Sequence, residues 1–340
     1  MRKLPVYIVV DTSESMYGEA IDQINRSLDN MLAALHRNPY ALETVWLSLI
    51  TFDSNARVLA PLTELADFKL PLLKSRPGTA LGTAIELLRS QIAKEVQLSS
   101  ADNKGDWRPI VFLLTDGQPT DEWRGACAKL RASRPKPANI YAIGVGNEIN
   151  FKILKELADV TFQVEEATPE TLAKLFIWMS SAIQSVSKNA SQEGLSAEEL
   201  HTPAGVTTVG DDYPAAPDFP RQLFFHGTCS TTKKKYLMRL RYVDQFEAYF
   251  PANAYKVPDD FLSDGGFEPP RVDADKILGF PDCPYCDNQD TGVCLSCNEA
   301  FCFNNNEVMK EGGKVICPAC GEVLTFLDEG ADCQLRPSAG

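Results

Sequence analysis

The chain has 340 residues, 46 acidic against 33 basic, for a formal net charge of −13, and 44% of its residues are apolar. That length exceeds what one hydrophobic core usually organises and predicts about two domains. The acidic balance disfavours a nucleic-acid or anionic-membrane surface, which needs a concentrated basic patch, and no apolar run nears the roughly 20 residues that span a bilayer.

Met1-Arg2-Lys3 and the apolar stretch behind it superficially resemble an export signal, but the stretch is short and runs into Asp11 without a cleavage segment. It reads instead as a first strand, Val6 to Val10, and a cytoplasmic location is expected. Asp11-Thr12-Ser13-Glu14-Ser15 then forms a loop before an amphipathic helix carrying Ile21, Ile24, Leu28, Met31, Leu32 and Leu35 at helical spacing. Val45 to Ile50 reads as a strand ending near Asp53, whose role the sequence leaves undecided. Arg57-Val58-Leu59, ahead of Pro61, suits an antiparallel edge strand. Gly78-Thr79 precedes a helix from about Thr83, and the continuous apolar run Ile110 to Leu114 ends in Thr115-Asp116-Gly117.

Asp121 reads as a helix start, and Cys127, beside Trp123 and Leu130, as a buried thiol. Strands at Ile140 to Val145 and Thr161 to Val164 precede a last helix from about Pro169, with Leu172, Leu175, Phe176, Met179 and Ile183 on its packing face. Alternating strands and helices predict an α/β domain with a doubly wound, mostly parallel sheet over residues 1–186.

Open parallel sheets bind ligands at the carboxyl ends of their strands, where Asp11-x-Ser13-x-Ser15, Thr79 and Asp116 are expected to meet. Mg2+ takes oxygen ligands in near-octahedral geometry and sheds water reluctantly. Ser13, Ser15 and Thr79 offer neutral hydroxyls, while Asp11 and Asp116 supply charge and hold coordinated waters. Each piece taken singly also suits a helix cap or a turn; their order beside three strands or helices favours one cation site. Few direct anionic ligands would leave the ion electropositive, with a position open for an acidic group. These five residues resemble the metal-ion-dependent adhesion site of von Willebrand factor A domains. The resemblance implies Mg2+, with Mn2+ or Ca2+ as alternatives, completed by a partner's carboxylate.

Residues 187–220 have the Ser-, Gly- and Pro-rich composition of a linker. Beyond it, Leu223-Phe224-Phe225, Tyr236 to Tyr242 and Phe246 to Phe250 suggest strands of a β-rich domain over 221–335, with Lys233-Lys234-Lys235 as the solvated start of one of them. Eight of the ten cysteines follow Asp282, and six of these form the C-x-x-C pairs Cys283/Cys286, Cys294/Cys297 and Cys317/Cys320. Two such pairs complete a closed tetrahedral zinc site. Cys294/Cys297 and Cys317/Cys320 have zinc-ribbon spacing, and Cys283/Cys286 could partner either. Cys302 is a further candidate ligand and Cys333 the least secure; spacing does not assign connectivity. Cys229 reads as a bystander thiol.

No phosphate-binding loop or nucleophile elbow is present, and His36, His201 and His226 are expected on a helix, in the linker and after a strand, away from the metal loops. A non-catalytic adaptor is therefore expected, with a regulatory phosphoprotein as the alternative. The A domain followed by the Cys283-Pro-Tyr-Cys286 and Cys317-Pro-Ala-Cys320 knuckles is similar to the TerY family of bacterial tellurite-resistance clusters. That resemblance implies protein partners, a Ser/Thr kinase and a type 2C protein phosphatase, in a stress-response or phage-defence system.

Overall fold

The computed structural model describes residues 2–100, 104–115, 119–145, 149–164, 168–189, 205–210, 219–258, 261, 271–304, 314–325 and 334–337. The chain divides into two compact units, residues 1–216 and 217–340.

In the first unit the apolar runs become strands buried on both faces. Strand β1 (Leu4–Asp11) is buried at every position, which explains its unbroken apolar sequence, since helices cover both sides of such a sheet. It lies between β2 (Val45–Phe52) and β4 (Ile110–Thr115), parallel to both. Parallel strands β5 (Asn139–Val145) and β6 (Val160–Val164) continue the sheet. Antiparallel β3 (Ala56–Glu64) closes one edge and carries Pro61 where an edge strand tolerates it.

Helices α1 (Glu19–His36), α2 (Pro39–Thr44) and α6 (Pro169–Asn189) belong to one face, where Leu28, Met31, Leu172, Phe176 and Met179 join the core. The opposite face takes α3 (Leu81–Glu95), α4 (Arg124–Ala132) and α5 (Phe151–Leu157) through Ile85, Leu88, Leu130 and Leu154. Trp178 of α6 sets its indole edgewise onto Phe112, Tyr141 and Phe162 of three successive strands, with centroids 6.3, 5.8 and 4.8 Å away.

One boundary expectation changes. Composition assigned 187–220 to a linker, yet β7 (Val206–Thr208) pairs antiparallel with β6 and closes the second edge of the sheet. Its three residues gain a ladder and a buried Val206 that composition does not reveal.

The second unit is β-rich. Strands β8 (Gln222–Thr228), β9 (Lys235–Val243) and β10 (Ala248–Lys256) form an antiparallel meander. Gly227 is required there, because a Cβ would lie 2.5 Å from Cζ of Tyr236. A short β11 (Val272–Asp273) anticipates its later partner β16 (Gln334–Leu335). Strands β12 (Asp290–Val293) and β13 (Ala300–Phe303) form a hairpin that joins the meander through parallel pairing of β13 with β8. Strands β14 (Lys314–Ile316) and β15 (Val323–Thr325) make a separate hairpin. His226 lies inside β8 rather than after a strand, so its position follows the ladder.

Candidate metal centres

The first candidate centre lies where β1, β2 and β4 end. Asp11 is buried, and its carboxylate accepts the Ser13 amide at 2.9 Å through one oxygen and the Thr115 hydroxyl at 2.5 Å through the other. Both oxygens thus brace the loop, as suits a residue that orients ligands and holds water rather than one bound directly to an ion. Ser13 and Ser15 place their hydroxyl oxygens 3.0 Å apart. An octahedral Mg2+ with oxygens at about 2.1 Å sets adjacent ligands about 3.0 Å from each other, so the two hydroxyls match one edge of that octahedron.

Thr79 is buried and reaches this region on a loop stitched to its neighbours. The Arg76 amide donates to Thr12 O at 2.8 Å, Ser54 to Pro77 O at 2.7 Å, Ala80 to Asp53 O at 2.7 Å and Thr120 to Thr79 O at 2.9 Å. Gly78 permits the approach: its φ is +91°, and a Cβ would meet Ser54 Cα at 2.7 Å. Asp116, the fifth expected ligand, lies outside the described residues; Thr115 immediately before it is buried against Asp11.

Two nearby carboxylates have other tasks. Asp53 accepts the Asn55 amide at 3.0 Å and is ion-paired with Arg57, locking its own turn. Asp121 does not start the following helix. It caps α3 across the loop, accepting from the Gly82 and Thr83 amides at 2.7 and 2.8 Å, while Glu122 caps α4.

The cysteines gather into two groups of four, Cys229/Cys283/Cys286/Cys302 and Cys294/Cys297/Cys317/Cys320, with all sulfurs of a group within 4.8 Å of one another. Measured edges are 3.7 Å for Cys229 to Cys286, 3.5 Å for Cys286 to Cys302, and 3.7 Å for both Cys294 to Cys320 and Cys297 to Cys317. Four thiolates about 2.3 Å from a tetrahedral Zn2+ lie about 3.8 Å apart. A disulfide would need about 2.05 Å, and the nine described cysteines are all free. The donor sets fit closed, structural zinc sites. The second group joins the two pairs that have zinc-ribbon spacing, and Cys302 falls in the first group with Cys283 and Cys286; Cys333 lies outside the described residues.

Cys229, expected to be a bystander, is the correction. Its turn repeats the three knuckles: Cys283, Cys294 and Cys317 each accept at the carbonyl from the amide four residues on and donate to the carbonyl five residues on, and Cys229 does the same with Lys233 and Lys234. The residue four places after each cysteine has positive φ, at Asp287 (55°), Asn298 (60°), Gly321 (77°) and Lys233 (59°). Thr232 stands where a second cysteine would be and donates its amide to Cys229 Sγ at 3.3 Å. Lys233-Lys234 is therefore knuckle backbone, and the strand starts only at Lys235.

Within each group the thiols differ. Although burial opposes it, Cys229 is brought down to about 6 by hydrogen bonds from Thr232, the Thr231 amide and the Cys286 thiol. Burial pushes Cys283 up. In the second group burial opposes the backbone bonds of Cys297 and Ser296 that lower Cys294, and burial raises Cys317. Thiolates this close repel one another, and a divalent cation held among them would supply the compensating charge. Cys127 is buried in α4 with its thiol 3.4 Å from Glu156 O, apart from both groups.

Among the described residues no helix is long and apolar enough to cross a membrane. Residues 6–175 match the family described as von Willebrand factor type A domain, and no curated protein matches the chain. Similar solved structures include proximal thread matrix protein 1 from the mussel byssus, at 16% identity and a TM-score of 0.41 over 54% of this chain and 48% of that one. A von Willebrand factor type A protein from Catenulispora acidiphila has 19% identity and 0.41 over 54% and 43%. The ArnB paralog VWA2 from Sulfolobus acidocaldarius has 14% and 0.40 over 76% and 68%. The chain thus spans less than half the length of the first two.

Proposed function

Because the chain belongs to the von Willebrand factor type A domain family, we propose that its first domain captures an acidic side chain of a protein partner through Mg2+ held by Ser13, Ser15 and Thr79. Asp11 and Asp116 hold the ion's waters, and Mn2+ or Ca2+ are alternative occupants. The observation that carries this reading is the 3.0 Å separation of the Ser13 and Ser15 hydroxyls above a carboxylate already committed to bracing their loop. A cation bound mainly by neutral oxygens keeps most of its charge for an incoming carboxylate. The role we assign is binding rather than catalysis: among the described histidines, His36 donates through Nε2 to the Leu65 carbonyl at 2.8 Å at the C-terminal end of α1, and His226 lies within β8.

The second unit is a zinc-dependent module, with Cys229, Cys283, Cys286 and Cys302 on one ion and Cys294, Cys297, Cys317 and Cys320 on another. Each ion would consolidate a fold whose core is thin. Resemblance to the TerY family supports a cytoplasmic setting with a Ser/Thr kinase and a type 2C protein phosphatase as partners.

Mn2+ titration followed by electron paramagnetic resonance tests the cation site: one ion binds the wild type, and binding is lost in the Ser13→Ala/Ser15→Ala double variant. Immobilised chain should then retain Asp- or Glu-containing peptides in Mg2+, and lose them when Mg2+ is omitted or Asp11 becomes Ala. Omission is preferable to a chelator, which would also strip the thiolate sites. Retention that ignores both changes would overturn the reading.

A further inference from the structure

The ligands of the two thiolate groups alternate along the chain. Cys283/Cys286 belong to the first group, Cys294/Cys297 to the second, Cys302 to the first again and Cys317/Cys320 to the second. Strand β12 runs from one group to the other and β13 runs back, so one hairpin is pinned at its open end by the first group and at its turn by the second. The groups are unequal. In the first, Cys229, Cys283 and Cys302 are fully buried beneath Leu223, Phe225, Met238 and Leu240. Its sulfurs also accept amides, from Ser230 to Cys302 and from Thr232 to Cys229, both at 3.3 Å. In the second, Cys294 and Cys317 are buried but Cys297 and Cys320 are exposed, and among the described residues the apolar backing is Phe301, Phe303, Val315 and Leu324.

Resting on the zinc reading above, we propose that the Cys294/Cys297/Cys317/Cys320 site is a releasable, peroxide-responsive zinc site, while the Cys229/Cys283/Cys286/Cys302 site keeps its ion. Each exposed sulfur has a buried one 3.7 Å away, Cys320 beside Cys294 and Cys297 beside Cys317. An exposed thiolate attacks hydrogen peroxide, giving a sulfenic acid and hydroxide; the buried thiolate then displaces a second hydroxide from that sulfur and closes a disulfide. Two sulfurs lose two electrons, and peroxide accepts them. The ion, left with two of its four ligands, departs, and the β14–β15 hairpin loses its tether. The five-stranded sheet persists, because its own cysteines are untouched. Coupling runs one way: losing the first ion frees Cys302 and β13, which present the second site, whereas losing the second ion leaves the first intact.

The test uses the full zinc-loaded chain, with limiting hydrogen peroxide and a chromogenic zinc indicator. One of two bound equivalents is expected to appear, mass spectrometry should place a disulfide at Cys294–Cys320 or Cys297–Cys317, and dithiothreitol with added zinc should restore the lost equivalent. Cys320→Ser should retain one equivalent that peroxide does not release, and Cys302→Ser should lose both. Two equivalents leaving together, none leaving, or a disulfide within the first group would overturn the inference. A chain purified with neither zinc would instead overturn the zinc reading beneath it.

Discussion

Replacing Gly78 with Ala separates a functional loop from an arbitrary one. The residue has φ +91°, and a Cβ would stand 2.7 Å from Ser54 Cα, 2.8 Å from Ser54 N and 2.9 Å from Ser54 Cβ. Ser54 cannot simply retreat, since its amide donates to Pro77 O at 2.7 Å in the same crossing. The left-handed backbone costs an alanine about 1 kcal/mol, and forcing the loops apart adds about 1–3 kcal/mol through overpacking and a weakened hydrogen bond. A total of about 2–4 kcal/mol corresponds to a fall in Tm of roughly 5–15 °C for a domain of this size. Thr79 adjoins the displaced residue, so Mn2+ affinity should fall along with stability. Gly321→Ala supplies the comparison: φ is +77° but nothing lies within 4 Å of its Cβ, so only the backbone cost of about 1 kcal/mol applies. Thermal unfolding and Mn2+ titration of both variants decide the matter. A Gly78→Ala chain that matches wild type in both refutes the claim that this crossing positions Thr79.

Three further outcomes are expected. Cys229→Ser should lower bound zinc, measured by plasma emission, whereas Cys127→Ser should leave it unchanged; equal stoichiometry in all three chains would return Cys229 to a bystander. Asp121→Ala removes acceptors from two amides and the Thr83 hydroxyl at the start of α3, and should cost about 1 kcal/mol in urea unfolding. Tyr7, which donates to Glu95 at 3.0 Å, has its phenol pushed well above the ordinary value of 10, first by burial and then by the charge of Glu95. Folding therefore favours the protonated phenol, and its contribution is complete below about pH 10 and lost as pH rises, because the unfolded chain ionises there first. Tyr7→Phe should be less stable than wild type at pH 8, and the gap should narrow at pH 11; a gap independent of pH argues against the buried phenol.

Long elements were legible because burial dictates residue type continuously along them. Ile110 to Leu114 reads as a strand because both faces are covered, and α1 shows its inner face over eighteen residues. Helices α2 and α5, of six and seven residues, are too short to display a 3.6-residue period. Strand β7 is shorter still, three residues in a Gly- and Pro-rich stretch, and takes its conformation from pairing with β6 rather than from its own composition. Asp121 illustrates the same limit at a single residue. A local reading assigns it to the helix that follows, but its carboxylate acts on a helix start thirty-nine positions earlier, Gly82.

The metal loops show the difference between a pattern carried by residue types and one carried by backbone. Asp11-x-Ser13-x-Ser15 stands out as a candidate because a hard cation would demand oxygen-bearing side chains there. The C-x-x-C pairs stand out because both thiols of a knuckle fall within four residues. The Cys229 knuckle conceals itself twice: Thr232 replaces the second thiol, and Lys233 occupies a left-handed position that Asp287, Asn298 and Gly321 fill in the other three turns. Asn, Asp and Gly adopt that conformation readily, while a lysine pays about 1 kcal/mol for it. A turn that accepts this cost while matching the hydrogen bonds of its three counterparts is held by something outside itself. A cation bound by all four sulfurs of the Cys229 group would supply that constraint.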